Sequence, residues 1–255
     1  MKLLDWGCLK LMDTLPKISA WRQYKSLFRK DIAQELRTKE MVTSMGLYGM
    51  LVLVIYYIAL SQTGTDFDIS RIAAGLLLLM IVFTSMLGLN RSLIHEHDQG
   101  QLEALLLAPI DRPIIFLAKA TTNLLFLLIV QAIVVPFFYV MFVAGSLPIQ
   151  LGYVQPGPWW MIAIVLLLGS IGIAGVGTLL ATISVNTKGR DFILAVLFIP
   201  VMYPLLLVLV AALNAVITGG TGFEATFWQM CAAAAVYNAV VIAVAFALYD
   251  FILGV

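Results

Sequence analysis

The chain has 255 residues, 62% of them hydrophobic and 11% charged, with a mean hydropathy of +1.01. A soluble domain carries roughly a quarter charged residues, so this composition excludes a water-soluble globule and describes an integral membrane protein. A net charge of +1 points to no nucleic-acid partner, and Cys8 and Cys231 stand too far apart for a CxxC, a CxxCH haem-attachment or a zinc pattern.

Residues 1–17, "MKLLDWGCLKLMDTLPK", lack a continuous apolar core followed by small residues at a cleavage site, so no cleavable signal peptide is expected. They read as an N-terminal extension to a single transmembrane domain over 18–255. Residues 18–39 predict a helix of their own. Ile18, Trp21, Tyr24, Phe28, Ile32 and Leu36 recur at three- and four-residue steps and form one stripe. Arg22, Lys30 and Arg37 lie away from that stripe, while Lys25 and Arg29 sit at its edge, placed to snorkel to headgroups. This is the pattern of an amphipathic helix lying in the interface, with membrane lipids as its partners. An ordinary positively charged flank is the alternative.

A bilayer core of about 30 Å needs roughly 20 apolar residues as helix. Six stretches qualify, at about 41–60, 72–90, 114–145, 159–185, 192–213 and 228–252. Backbone polar groups cannot be left unpaired in lipid, and no strand-like alternation is present, so all six are predicted to be helices. The segment before the first span carries nine Lys and Arg, from Lys2 to Lys39. The second connection has Arg91 and Arg112, with Lys119 just inside the next span, and the fourth has Lys188 and Arg190. The first connection has only Arg71, and the third and fifth have no basic residue. By the positive-inside rule both termini are expected in the cytoplasm.

Within the spans, ionisable residues are nearly absent. Lys119 and Asp250 fall near the cytoplasmic ends of spans three and six, where a lysine can snorkel. No gradient-driven engine is therefore expected. Thr121, Thr122, Asn123, Gln131 and Asn238 suit interhelical hydrogen bonds, a substrate path being the alternative. Ser170, Ala174, Gly177, Thr178 and Ala181 share one face of span four and predict a close-packing seam. Pro136, Pro200 and Pro204 each remove a backbone donor and can bend their helices. The Gly-rich connection 214–227 is apolar enough to re-enter the membrane from outside.

The most polar connection, "HEHDQGQLEALLLAPIDRP" at 95–113, holds both histidines. His95 and His97 are two residues apart and do not make the i, i+4 pair of HExxH. No nucleophile–base pair stands nearby, so no catalytic or metal site is expected. The histidines read as the solvated approach to the leucine-rich segment after them, an axial haem ligand being the alternative. Asp98 with Gln101 resembles a capping box, and Leu102, Leu105 and Leu106 form a short apolar face before Pro109. A helix of about ten residues is predicted here, built to dock on a partner.

Two stretches, "EHDQGQLEALLLAPIDRPIIFLAKA" and "TISVNTKGRDFILAVLFIPVMYPLLL", resemble the haem exporter protein B (CcmB) family of cytochrome c maturation, a branch of the ABC-2-type permeases. The likeness rests on Gly100, Gln101, Leu102, Glu103, Leu105, Leu107 and Pro109, on Ala118-Lys119, and on Lys188-Gly189-Arg190 with the proline-interrupted run after it. Gln99 stands where the family pattern has an acidic residue. The resemblance implies an all-α, six-span ABC-2-like fold with an interfacial elbow helix at 18–39, in which Trp21, Phe28, Ile32 and Leu36 would face the membrane. It implies a cytoplasmic coupling helix whose contacts with a separate ATPase subunit would come from Glu96, Asp98, Gly100, Leu102, Glu103, Leu105 and Leu106. Lys188 and Arg190 would mark a second cytoplasmic loop. The implied setting is the bacterial inner membrane, with no permanently bound cofactor and with haem as the transported or handled ligand. The implied partners are an ABC ATPase, a haem-handling membrane protein, a periplasmic haem chaperone and a second copy of the chain. Haem export and ATP-driven release of the loaded chaperone both stay open. So do an ABC-2 exporter of a drug, lipid or polysaccharide and a non-transporting scaffold. The chain has no GxxxxGK[ST] of its own.

Overall fold

A computed structural model describes residues 19–61, 70–98, 112–142, 158–184, 190–218 and 222–252. Among them are seven helices and no strand: α1 (Ala20–Thr38), α2 (Glu40–Ser61), α3 (Ser70–Asp98), α4 (Arg112–Phe142), α5 (Trp159–Ser184), α6 (Arg190–Thr218) and α7 (Phe223–Ile252). The six from α2 to α7 are long and apolar enough to cross a membrane, as the six hydrophobic runs predict. The first seventeen residues lie outside the described part, so the extension reading is untouched by the structure.

The spans are antiparallel from one to the next. Gly88 of α3 packs on Met45 of α2, Thr178 of α5 meets Asn123 of α4, and Gly169 of α5 lies against Leu209 of α6. Helix α5 sits at the centre, in contact with α3, α4, α6 and α7. Its composition is the reason. Ser170, Ala174, Gly177, Thr178 and Ala181 are all buried, and a side chain at Gly177 would overlap Leu89. The predicted seam is thus real and runs along α3 and α4. A second set of small residues, Gly169, Gly172 and Gly175, lies against Leu209, Leu205 with Asn238, and Ile242. Lipid tails are as apolar as leucine, so such close backbone approach and interhelical hydrogen bonds hold the bundle where no hydrophobic drive exists.

The second span, Ile72–Leu89, matches the expected 72–90, while its helix α3 continues past it to at least Asp98, carrying "RSLIHEH" as helix. Helices end where backbone partners run out, not where hydrocarbon ends, and this segment has no Gly or Pro to stop it. At the other end of the bundle, α6 runs to Thr218 and α7 starts at Phe223. Residues 214–218 and 223–227 are therefore helical. Residues 219–221 between them lie outside the described residues. Pro136, Pro200 and Pro204 all sit inside continuous helices. The Tyr237 hydroxyl of α7 donates to the Val201 carbonyl between the two prolines of α6.

The join of α1 to α2 is tight. Lys39 takes the left-handed conformation, φ 55° and ψ 14°, and its N–H donates to the Glu35 carbonyl at 2.6 Å. The Glu35 carboxylate then accepts from the backbone N–H groups of Met41 and Val42 at 2.9 and 3.0 Å. One side chain thus belongs to α1 and caps α2, where two of the first N–H groups have no intrahelical acceptor. Glu35→Ala is expected to cost about 1 kcal/mol, read as a small drop in the thermal unfolding midpoint in detergent. Glu35→Gln should retain most of the stability.

Candidate functional site

One end of the bundle gathers the charged features. It holds the junction of α1 with α2, the last turns of α3, the first turns of α4, the end of α5 and the start of α6. Helix α1 lies here, packed on α4. Its buried face is Gln23, Leu27 and Asp31, one residue per turn. Leu27 belongs to a small core with Ile115, Phe116, Ala118 and Ala245, in which α1 is seated on α4. Tyr24 reinforces the contact by donating to the Thr121 hydroxyl at 3.0 Å.

Asp31 faces Lys119 in this interface, Oδ2 to Nζ at 3.2 Å, with the two side chains 7% and 8% exposed. The other carboxylate oxygen is 3.2 Å from the Lys30 ammonium, which is itself half-exposed. Among the described residues, Asp31 and Lys119 are the buried charged side chains. This corrects the expectation for Lys119. It does not snorkel to the headgroups; it turns into the α1–α4 contact and meets a carboxylate. An ammonium in low dielectric without such a partner would pay a large desolvation cost. Sequence reasoning passes over Asp31 because the aromatic stripe of α1 draws attention to a different face. The available signal is a pair of misfits: an acid in a basic helix, and a lysine one turn inside an apolar span.

The stripe is mainly a flank of α1 beside its docking face, with Tyr24 and Ile32 as the members that pack on the bundle. Trp21 and Leu36 point away from the bundle, at 69% and 67% exposure, while Phe28 and Ile32 are half-buried. Trp21, Tyr24 and Phe28 stack in a row, with ring centroids 5.6 and 5.8 Å apart.

Deeper in the bundle the polar residues pair across helices. Asn123 donates to the Thr178 hydroxyl at 2.9 Å, Gln131 to the Ser170 hydroxyl at 2.9 Å, and Asn238 to the Leu168 carbonyl at 2.8 Å. Thr122 bonds back to the Ala118 carbonyl of its own helix. These contacts fit the interhelical reading. Thr84 differs, since its buried hydroxyl has no hydrogen-bond partner. Thr84→Val keeps the shape and removes that group, so it is expected to leave the unfolding midpoint in detergent unchanged or raised.

Towards the opposite end, α4 and α5 diverge around an apolar groove of about 650 Å³ lined by Gln131, Pro136, Tyr139, Trp159 and Leu166. Its volume lies in the roughly 300–1,000 Å³ range of small-molecule sites, and it offers almost only apolar surface.

Of the remaining predicted site residues, Glu96, Asp98 and Arg190 are described, at the charged end. Glu96 and Asp98 lie on helical backbone in the last turns of α3, as do His95 and His97, and not in a loop. Asp98 is the last described residue of α3, and the capping-box pairing with Gln101 and the helix expected after it lie outside the described residues. Gly100, Leu102, Glu103, Leu105, Leu106 and Lys188 lie outside the described residues. Arg190 opens α6. The geometry brings the ends of α3, α4, α5 and α6 to one face of the bundle, with the predicted coupling segment between α3 and α4.

The chain is 29% identical over 208 residues to heme exporter protein B of Bradyrhizobium diazoefficiens, a match covering 81% of this chain and 88% of that protein. The family model described as CcmB protein matches residues 22–250, from the first turn of α1 almost to the end of α7. The buried pair, nearly all of α1 and all six spans fall inside that match, and the chain belongs to the CcmB family.

Proposed function

We propose that this chain is the membrane-spanning permease subunit of an ABC transporter acting in c-type cytochrome biogenesis, in haem export or in ATP-driven release of a haem-loaded periplasmic chaperone. The observation that carries the reading is the family match across the elbow helix and all six spans, joined by a relative named for heme export. The electrostatics support an external energy source. The buried charges among the described residues, Asp31 and Lys119, neutralise each other at one end of the bundle. A paired charge at a helix interface is poorly placed to carry an ion through the membrane.

In this reading the charged end faces the cytoplasm, as the Lys and Arg distribution requires, and both termini lie there. The segment from Asp98 to Leu107 docks in a separate ATPase subunit, with Glu103 and Leu106 at the contact. Nucleotide-driven movement of the ATPase is passed to the ends of α3 and α4. Two permease copies assemble with the ATPase, and haem is cargo or handled ligand, not a resident cofactor.

The test is on residues of the coupling segment. Glu103→Lys and Leu106→Asp are expected to insert and accumulate normally. They should reduce copurification of the ATPase and lower cytochrome c yield several-fold or more. Variants with unchanged ATPase binding and cytochrome c yield would refute the coupling role. Affinity purification of the wild-type protein from membranes is expected to bring down an ATPase together with haem-handling proteins; recovery of an ATPase without any haem protein would point to another cargo.

A further inference from the structure

Helix α1 carries two carboxylates, Asp31 and Glu35, and both are committed inward. Asp31 is buried against Lys119, and Glu35 caps α2. The outward face is left purely cationic. Arg22, Lys25, Arg29 and Lys30 are all exposed and, with Ser26 and Ala33, line a shallow hollow of about 480 Å³. Arg37 continues the same sign one turn further on. The helix therefore has three faces around its circumference: Gln23, Leu27 and Asp31 on the bundle, the flank of Trp21, Phe28, Ile32 and Leu36, and this basic surface.

The apolar flank decides what the basic surface meets. Trp21 and Leu36 have no place in water, so the flank lies in the outermost hydrocarbon, and stacked aromatics are typical of that depth. The basic surface adjoins it along the whole helix, with Lys25 at the boundary. That places its cations at the level of the lipid phosphates. We propose that the hollow of Arg22, Lys25, Ser26 and Arg29 is a headgroup site for anionic phospholipid, which selects phosphatidylglycerol-type lipids over zwitterionic ones. The site is independent of the cargo, so it stands or falls separately from the function proposed above.

The experiment uses the purified full-length protein in mixed micelles containing equal phosphatidylglycerol and phosphatidylcholine, with retained lipid read by native mass spectrometry. The wild type is expected to retain phosphatidylglycerol in preference. Each basic residue near an anionic surface contributes about fivefold in binding, so Arg22→Gln with Lys25→Gln and Arg29→Gln should reduce the preference at least tenfold. Lys30 is left in place because it contacts Asp31. Excess inorganic phosphate should not displace the lipid; displacement would make this a general phosphate site and overturn the proposal. A wild type that shows no preference between the two lipids overturns it without reference to any variant. Lipid preference unchanged in the triple variant, with loss of a copurifying acidic protein, would assign the surface to protein docking instead.

Discussion

Asp31→Ala is expected to release α1 from the bundle and to destabilise the protein by about 3–5 kcal/mol, the usual result of removing one partner from a buried ion pair. The substitution takes away the carboxylate 3.2 Å from Lys119 and leaves the ammonium in a contact built to exclude water. Lys119→Met should cost less, because Lys30 stays 3.2 Å from the other oxygen of Asp31 and is open to solvent. Replacing both, Asp31→Leu with Lys119→Met, should recover most of the loss, since apolar residues of similar volume often substitute for a buried pair without penalty. Two measurements check this. One is the unfolding midpoint in detergent. The other is the rate of tryptic cleavage within α1, whose sites at Arg22, Lys25, Arg29 and Lys30 lie on the helix that undocks. If Asp31→Ala changes neither, the pair is not a buried contact in the native protein, and Lys119 reaches the headgroups after all.

The second large effect is expected at Gly172. A side chain there would run into Leu205 Cδ2 and the Asn238 carboxamide, which are among the least exposed groups of the bundle. Asn238 is held by its bond to the Leu168 carbonyl, so it cannot turn aside without breaking an interhelical hydrogen bond. Overpacking of a filled core costs about 1–3 kcal/mol, and Gly172→Val adds a lost hydrogen bond to that figure. We expect Gly172→Val to cut accumulation in the membrane sharply and Gly172→Ala to cut it in part. Gly46→Ala and Gly75→Ala provide the contrast. Neither position has any atom within 4 Å of an added Cβ, and alanine is favoured over glycine inside a helix by roughly 0.5–1 kcal/mol. These two should accumulate at wild-type levels or better. Equal loss at all four variants would mean that helix composition, not the α5–α6–α7 contact, sets the outcome.

Much of this architecture is legible in the sequence because hydrophobicity and backbone chemistry are local. The six spans follow from runs of apolar residues, and the α5 seam follows from small residues at helical spacing. What is not legible depends on which surfaces meet. The aromatic stripe of α1 is a correct reading of periodicity, but periodicity alone does not say whether a stripe faces protein or lipid. Only the docked helix shows that Gln23, Leu27 and Asp31 form the protein-facing side. The end of α3 differs from expectation for a related reason: "RSLIHEH" is polar, and polarity marks the membrane boundary, whereas the helix continues past it. Residues 214–227 look loop-like by their glycines, yet only Gly222, with φ 86°, is described in a conformation that calls for glycine. The coupling segment beyond Asp98 lies outside the described residues, and its role is proposed from its leucines and from family resemblance.

The buried pair also bears on how the protein is made. Asp31 precedes Lys119 by most of one hundred residues, and chains grow at about 5–20 residues per second. The elbow helix is thus complete for several seconds before the third span is handed to the membrane. Lys119 arrives to find its counter-charge already waiting at the surface. A carboxylate encoded downstream of the lysine would leave the charge uncompensated through the insertion step. Chains that begin after residue 31 are therefore expected to misinsert span three even where the six hydrophobic segments are intact.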